Sequence, residues 1–411
     1  MSVDKKEDSK TVGFFSIDRG TFRCAAVGGL NSAIAHIVMA RGTGRDNCTT
    51  QWSVNAIERR TGISRLNADK AVKDLLAHGI WKRTRDGRHP IYEAVSGNEI
   101  PGGPFSAIEN EVIAAIRDGN EVPYKGKTAA EALKARAIIR ERIEQRSNRK
   151  RPPSLVLDEL EIAVLTEPLT IWLPNALIDG AAGEVPPIEL IRQTRSLPAL
   201  RLLVELYAAQ FLPDHGGVSR ELLKVVFERT KVGEQGPFVI WGFRSKHLLA
   251  DPALFRPFLT GHRKTQDDGN GRDAGLDDAF WPAVDTLNDL GLVEKVGMVL
   301  DGDDAEAEVI HPFAMRDGEP AERELARAAN EAAAAMLTDG QLDWSGEQGF
   351  HLVPVRRHIA NATVIEVIRL KYRPHTKATA AWYALMRQST AEYLAHYQAL
   401  GRDGTATSST A

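Results

Sequence analysis

The residues best suited to chemistry lie within one short stretch, "GISRLNADKAVKDLLAHGIWKRTRDGRHPIY", residues 62–92. On a helix starting near Ser64, Arg65 carries paired donors that match the O6 and N7 of guanine, and Asn67 carries the donor and acceptor that match adenine. Lys70 and Lys73 follow about one helical turn apart, a spacing that suits phosphates flanking such a contact. Further on, Arg85, Arg88 and His89 gather at a turn, where they suit the backbone or the minor groove. Ser64 and Thr50, each near a helix start, have hydroxyls that can donate to phosphate. Together these side chains have the chemistry to recognise double-stranded DNA, and they call for no cofactor.

The elements needed to position these groups are legible around them. "NSAIAHIVMARG" places Ala33, Ile34, Ile37 and Val38 at helical spacing and ends in glycine. "VNAIERRT", with Ser53 as its expected cap, forms a second helix that stops at Gly62. Gly62 permits the positive φ of a sharp turn, Ile63 plugs the corner, and Ser64 is the expected cap of a third helix. That third helix puts Ala68, Ala71, Val72, Leu75 and Leu76 on one side, with Arg65, Asn67, Asp69, Lys70 and Lys73 on the rest of its surface. After Gly79, two strand-like segments flank Asp86 and Gly87, a hairpin signal.

Residues 52–92 resemble the winged helix-turn-helix family found in bacterial transcription regulators and replication initiators. The resemblance implies a recognition helix in the major groove, carried by Arg65, Asn67 and Lys70, and a wing on the backbone at residues 85–89. Asp69 departs from a uniformly basic surface, and it would repel phosphate unless it reads cytosine or pairs with Lys73, four residues on.

At 411 residues and 43% hydrophobic, the chain is long enough for two or three domains with ordinary cores. Its net charge of −3 averages unlike segments. Residues 52–92 hold nine basic groups against four acidic, and residues 125–151 hold ten against three. Residues 277–308 reverse the sign, with ten acidic groups and Lys295 alone as a base. The order of elements there, a helix ending at Gly291 and then a hairpin turning at residues 301–304, echoes the first domain with opposite charge. Phosphate contact would be costly on that surface, which fits a protein partner better. The tandem layout is similar to that of plasmid and phage replication initiators, whose units divide between DNA binding and dimerisation.

The expected fold is therefore mainly α with small β-wings: tandem winged-helix domains joined by a basic helical linker, plus an α+β C-terminal region. The expected boundaries are a disordered tail at 1–12, a DNA-binding domain at 13–100 and a linker at 101–153 with its basic helix at 128–146. A second, acidic domain follows at 154–315, an α+β domain at 316–400 and a tail at 401–411. In the second domain "VSRELLKVVFERTKVG" reads as a helix capped by Ser219, and "PFVIWGF" as an apolar segment. The final helix, with Trp382, Tyr383, Leu385 and Met386, is a candidate surface for a homodimer.

Other chemistries find little support. No apolar run approaches the ~20 residues of a membrane span, and the first residues form no signal segment, so a cytoplasmic, nucleoid-associated protein is expected. Cys24 and Cys48 have no metal or disulfide spacing and are expected as buried, reduced thiols. "RGTGRDN" lacks the Lys-Ser/Thr of a phosphate loop, and His351 and His358 lack acidic or cysteine partners. Asp301, Asp303 and Asp304 lack calcium-loop spacing and read as an exposed turn. With no G-x-S-x-G or H-E-x-x-H, no catalytic residue and no metal ligand is assigned. The reading is a non-enzymatic DNA-binding protein of bacterial, phage or plasmid origin, acting in replication initiation or transcription control. The alternative is a protein-protein adaptor that uses winged-helix folds as scaffolds.

Overall fold

The computed structural model describes residues 13–95, 170–250 and 280–408, apart from positions 45, 88, 181–183, 211–215, 221–222, 305 and 374–376. The chain divides into two compact units, Met1–Leu197 and Pro198–Ala411.

In the first unit, strand β1 (Phe14–Asp18) leads into helices α1 (Arg19–Val27) and α2 (Leu30–Arg41). Strand β2 (Thr49–Thr50), helices α3 (Val54–Thr61) and α4 (Arg65–Ala77) and strands β3 (Trp81–Arg85) and β4 (Ile91–Ala94) follow. Helix α2 is the centre of this unit: every residue from Ser32 to Ala40 is buried, as expected of a helix that is apolar nearly all round. Gly62 closes α3 in the left-handed conformation, φ 63°, and Ile63 is buried in the corner. The hydroxyls of Ser53 and Ser64 make no capping bond to their helices, although each residue stands at the expected boundary. Strands β2, β4 and β3 form a three-stranded sheet in that order, pairing Thr50 with Tyr92 and Trp81 with Ala94.

The same unit also takes in residues 170–197, so it extends beyond the boundary expected near residue 100. Strand β5 (Thr170–Pro174) pairs antiparallel with β1, Phe14 opposite Pro174 and Asp18 opposite Thr170. A short helix α5 (Ala176–Asp179) and helix α6 (Pro187–Thr194) complete the unit. Asp179 joins these late elements to the early ones: one carboxylate oxygen takes Nη2 of Arg41 at 2.6 Å and the other takes Nη1 of Arg60 at 2.5 Å. The Arg60 guanidinium also lies 3.9 Å over the Trp52 ring.

The second unit corrects the expected fold class. It is built on a six-stranded antiparallel sheet, and the described residues form a mixed α/β structure in which 28% of them are strand. After α7 (Leu197–Ala208), a long hairpin of β6 (Leu223–Gln235) and β7 (Phe238–Ala250) occupies the stretch expected to form a helix capped by Ser219. Its buried residues Leu223, Val225 and Phe227 alternate with the more exposed Lys224, Val226 and Glu228, a period of two that favours a strand over a helix. Helix α8 (Phe280–Asp289) and strands β8 (Val293–Leu300) and β9 (Val309–Pro312) form the expected helix and hairpin. However, β8 also pairs along its length with β11 (Thr363–Leu370). What read as a free wing is therefore one end of a large sheet, with β8 flanked on both sides and β9 at the edge, and the second winged-helix domain is overturned.

Helices α9 (Pro320–Ala334) and α10 (Asp339–Glu347), strand β10 (His351–Arg356) and helix α11 (Lys377–Ser408) complete the unit. The sheet order is β10-β7-β6-β11-β8-β9. Leu325 and Ala329 of α9 and Tyr397 of α11 pack on one sheet face against Phe227, Phe243, Val299, Val353 and Val364. Met298, Leu300, Ile365 and Val367 cluster on the alternate positions. Both outer strands contain a proline, Pro312 in β9 and Pro354 in β10, which lack the amide proton that an added strand would need. Arg369, 0% exposed, is held by Glu322 at 2.8 and 2.9 Å and by Glu294 at 2.6 Å. Desolvation opposes its charge, but the hydrogen bonds and fields of Glu322 and Glu294 outweigh that and raise its pKa.

Cys24 and Cys48 are free and only half-buried, which corrects the expected burial. Among the described residues, no helix is long and apolar enough to cross a membrane and no group of three metal-ligating side chains occurs. Near the Asp-rich turn, Asp301 and Asp304 accept backbone amides of Glu308 and Glu306, so their carboxylates order the loop.

Candidate nucleic-acid interface

Helix α4 sorts its side chains by spacing. Ala68, Ala71, Val72 and Leu75 are buried, while Ser64, Arg65, Leu66, Asn67, Lys70 and Lys73 are exposed. A basic, polar surface is thus held on a helix whose opposite side is anchored in the core.

Arg65 does not hang free at the start of α4. Its guanidinium Nη1 donates to Asn55 Oδ1 at 2.8 Å and lies 3.8 Å from Glu58 Oε2, both on α3. These exposed contacts are worth little in stability, but they fix the direction of a side chain that otherwise has wide rotamer freedom. The turn at Gly62 makes this possible, because it brings the exposed side of α3 beside the first turn of α4. Asp69 is neutralised locally: its carboxylate lies 2.7 Å from Lys73 Nζ, the pairing at four residues that offsets its repulsion of phosphate.

The β3–β4 hairpin is a second basic element. Lys82, Arg83, Thr84 and Arg85 are all exposed, so four consecutive residues of β3 project into solvent. The Arg83 guanidinium lies 5.5 Å over the Tyr92 ring and 3.3 Å from Asp86; the nearby Tyr92 and Asp86 raise its pKa and keep it cationic. Arg85 donates through Nε and Nη2 to the carbonyl of His89 at 3.3 and 3.1 Å, bracing the turn in which Gly87 adopts φ 110°. His89 itself is exposed.

Not every expected residue joins this surface. Thr50 is buried, and its hydroxyl accepts the Trp52 amide at 3.0 Å, which leaves it turned away from solvent. Arg88, the basic helix expected at 128–146, and Asp277 and Asp278 lie outside the described residues. The structure also adds residues that the sequence reading passed over. Lys82 and Arg83 are exposed beside Arg85, and Leu66 stands out from the first turn of α4 with 79% of its surface exposed. The helical period carried the signal for Leu66, since it falls opposite the buried stripe of Ala68, Ala71, Val72 and Leu75.

The base of the hairpin is tied to the core by a buried polar contact. Trp81 Nε1 donates to His36 Nδ1 at 3.0 Å, so the imidazole is neutral and carries its proton on Nε2. Burial pushes the His36 pKa down to about 4, with Asp18 opposing the shift.

Comparison of the chain with family models, with curated proteins and with solved structures finds no match.

Proposed function

We propose that the first unit is a winged helix-turn-helix module that binds double-stranded DNA sequence-specifically. The first turn of α4 enters the major groove, and the β3–β4 hairpin lies on the backbone. In this reading the protein acts as an initiator of replication or a regulator of transcription on bacterial, phage or plasmid DNA. The observation that carries it is the first turn of α4. There, a guanidinium directed by Asn55 and Glu58 stands beside the exposed Asn67, on an element order of helix, strand, helix, tight turn, helix and hairpin. Arg65 takes a guanine and Asn67 an adenine, Lys70 and Lys73 take phosphates, and Lys82, Arg83 and His89 extend the backbone contact.

The test is capture of genomic DNA fragments by full-length protein, wild type beside Arg65→Ala. The wild type should retain a few fragments selectively, and Arg65→Ala should lose about 1–3 kcal/mol of discrimination while keeping its weak affinity for any DNA. Absence of binding by the wild type even at low salt would refute this function and leave the protein-protein adaptor as the reading to pursue.

A further inference from the structure

We propose that Leu66 reads the 5-methyl group of a pyrimidine in the major groove, making a thymine or a 5-methylcytosine the preferred base at one position of the DNA site. This rests on the DNA-binding function proposed for α4.

Leu66 is 79% exposed on a helix whose buried side is supplied by Ala68, Ala71, Val72 and Leu75, so its side chain adds little to the core of the unit. Its spacing of four to Lys70 and seven to Lys73 places it at the head of the same outward ridge. Arg65, directed by Asn55 and Glu58, precedes it, and the exposed Asn67 follows. A leucine awaiting a protein partner would ordinarily sit in an apolar patch, whereas this ridge carries two lysines. On the major-groove edge of a base pair, the apolar group is the 5-methyl of thymine, or of cytosine once methylated. An isobutyl side chain one turn ahead of phosphate-binding lysines is suited to cover it and exclude water. Arg65, Leu66 and Asn67 then offer three different chemistries to neighbouring bases: a fork of donors, an apolar cap and an amide.

The experiment uses the captured DNA fragment with each thymine replaced singly by uracil, which removes only the methyl, and each cytosine replaced singly by 5-methylcytosine. Affinities are measured for full-length wild type and Leu66→Ala, with circular dichroism confirming that the variant is folded. At one position uracil should weaken the wild type roughly 3- to 10-fold, while Leu66→Ala binds thymine and uracil equally there. If the methyl belongs to cytosine, 5-methylcytosine at one position should strengthen the wild type by a similar factor and leave Leu66→Ala unchanged. Selective wild-type binding with no methyl dependence, or a methyl dependence that persists in Leu66→Ala, would overturn the role of Leu66 alone. Loss of all wild-type DNA binding would instead overturn the function on which it rests.

Discussion

Two buried histidines tie stability to pH at the level of single residues. Burial holds His36, against Trp81, and His311, between the Pro312 carbonyl and the Tyr397 hydroxyl, to pKa values of about 4. In the unfolded chain each returns to about 6.5. As pH falls through 6.5 the unfolded chain takes up protons that the folded chain refuses until near 4. This contribution is therefore fully present above about 6.5 and is lost between 6.5 and 4, on the order of 3 kcal/mol for each histidine. Urea midpoints should fall steadily from pH 7 to pH 5, a window above the titration of most carboxylates, and His36→Gln should flatten the slope. A midpoint independent of pH across that window would contradict the assignment.

Among the elements, the segment that leads into α3 passes close to the end of α2. A Cβ added at Gly42 would lie 2.3 Å from the Trp52 ring and 2.6 Å from the Thr50 hydroxyl. Trp52 has little room to yield, because Arg60 stacks on it and is itself held by Asp179. Gly42→Ala should therefore destabilise the first unit by about 1–3 kcal/mol, read as a lowered thermal midpoint; an unchanged midpoint would show that Trp52 can move freely. How far elements can be read from sequence differs between the two units for a physical reason. Helices α2, α3 and α4 and the turn at Gly62 were legible because glycine punctuation and a 3.6-residue period agree there. The exposed first turn of α4 and the Asp69–Lys73 pair were legible for the same reason. Strand β6 reads as a helix from sequence because "VSRELLKVVFERTKVG" opens with helix-favouring residues, and its period of two emerges only from Leu223 onward. The β8–β9 hairpin was correct locally, yet its pairing with β11, some seventy residues later, leaves no local mark. The inward turn of Thr50 depends equally on tertiary neighbours, whereas the bracing of the hairpin by Arg85 is local, a contact with the carbonyl of His89 that residue types alone do not announce.

For the whole molecule, the division into two units predicts which piece can stand alone. Ile171, Leu173, Leu177, Ile178, Ile188 and Ile191 are buried, β5 gives β1 its partner, and Asp179 pairs with Arg41 and Arg60. A fragment of residues 1–197 should melt cooperatively by circular dichroism, whereas residues 1–100 should not; a cooperative transition in the shorter piece would refute the assignment of residues 170–197 to the first core. Sequence-specific DNA binding by α4 and its hairpin has a direct signature in the sequence and salt dependence of affinity. Affinity of the full-length protein for a captured duplex and for a scrambled one would be determined across a salt series, for wild type and Lys70→Ala. The wild type should bind the captured duplex at least ~10³-fold more tightly than the scrambled one, with both affinities falling linearly on a logarithmic salt scale. Lys70→Ala should lower both affinities alike and reduce the slope by about one. Equal affinity for the two duplexes, or binding indifferent to salt, would contradict such binding.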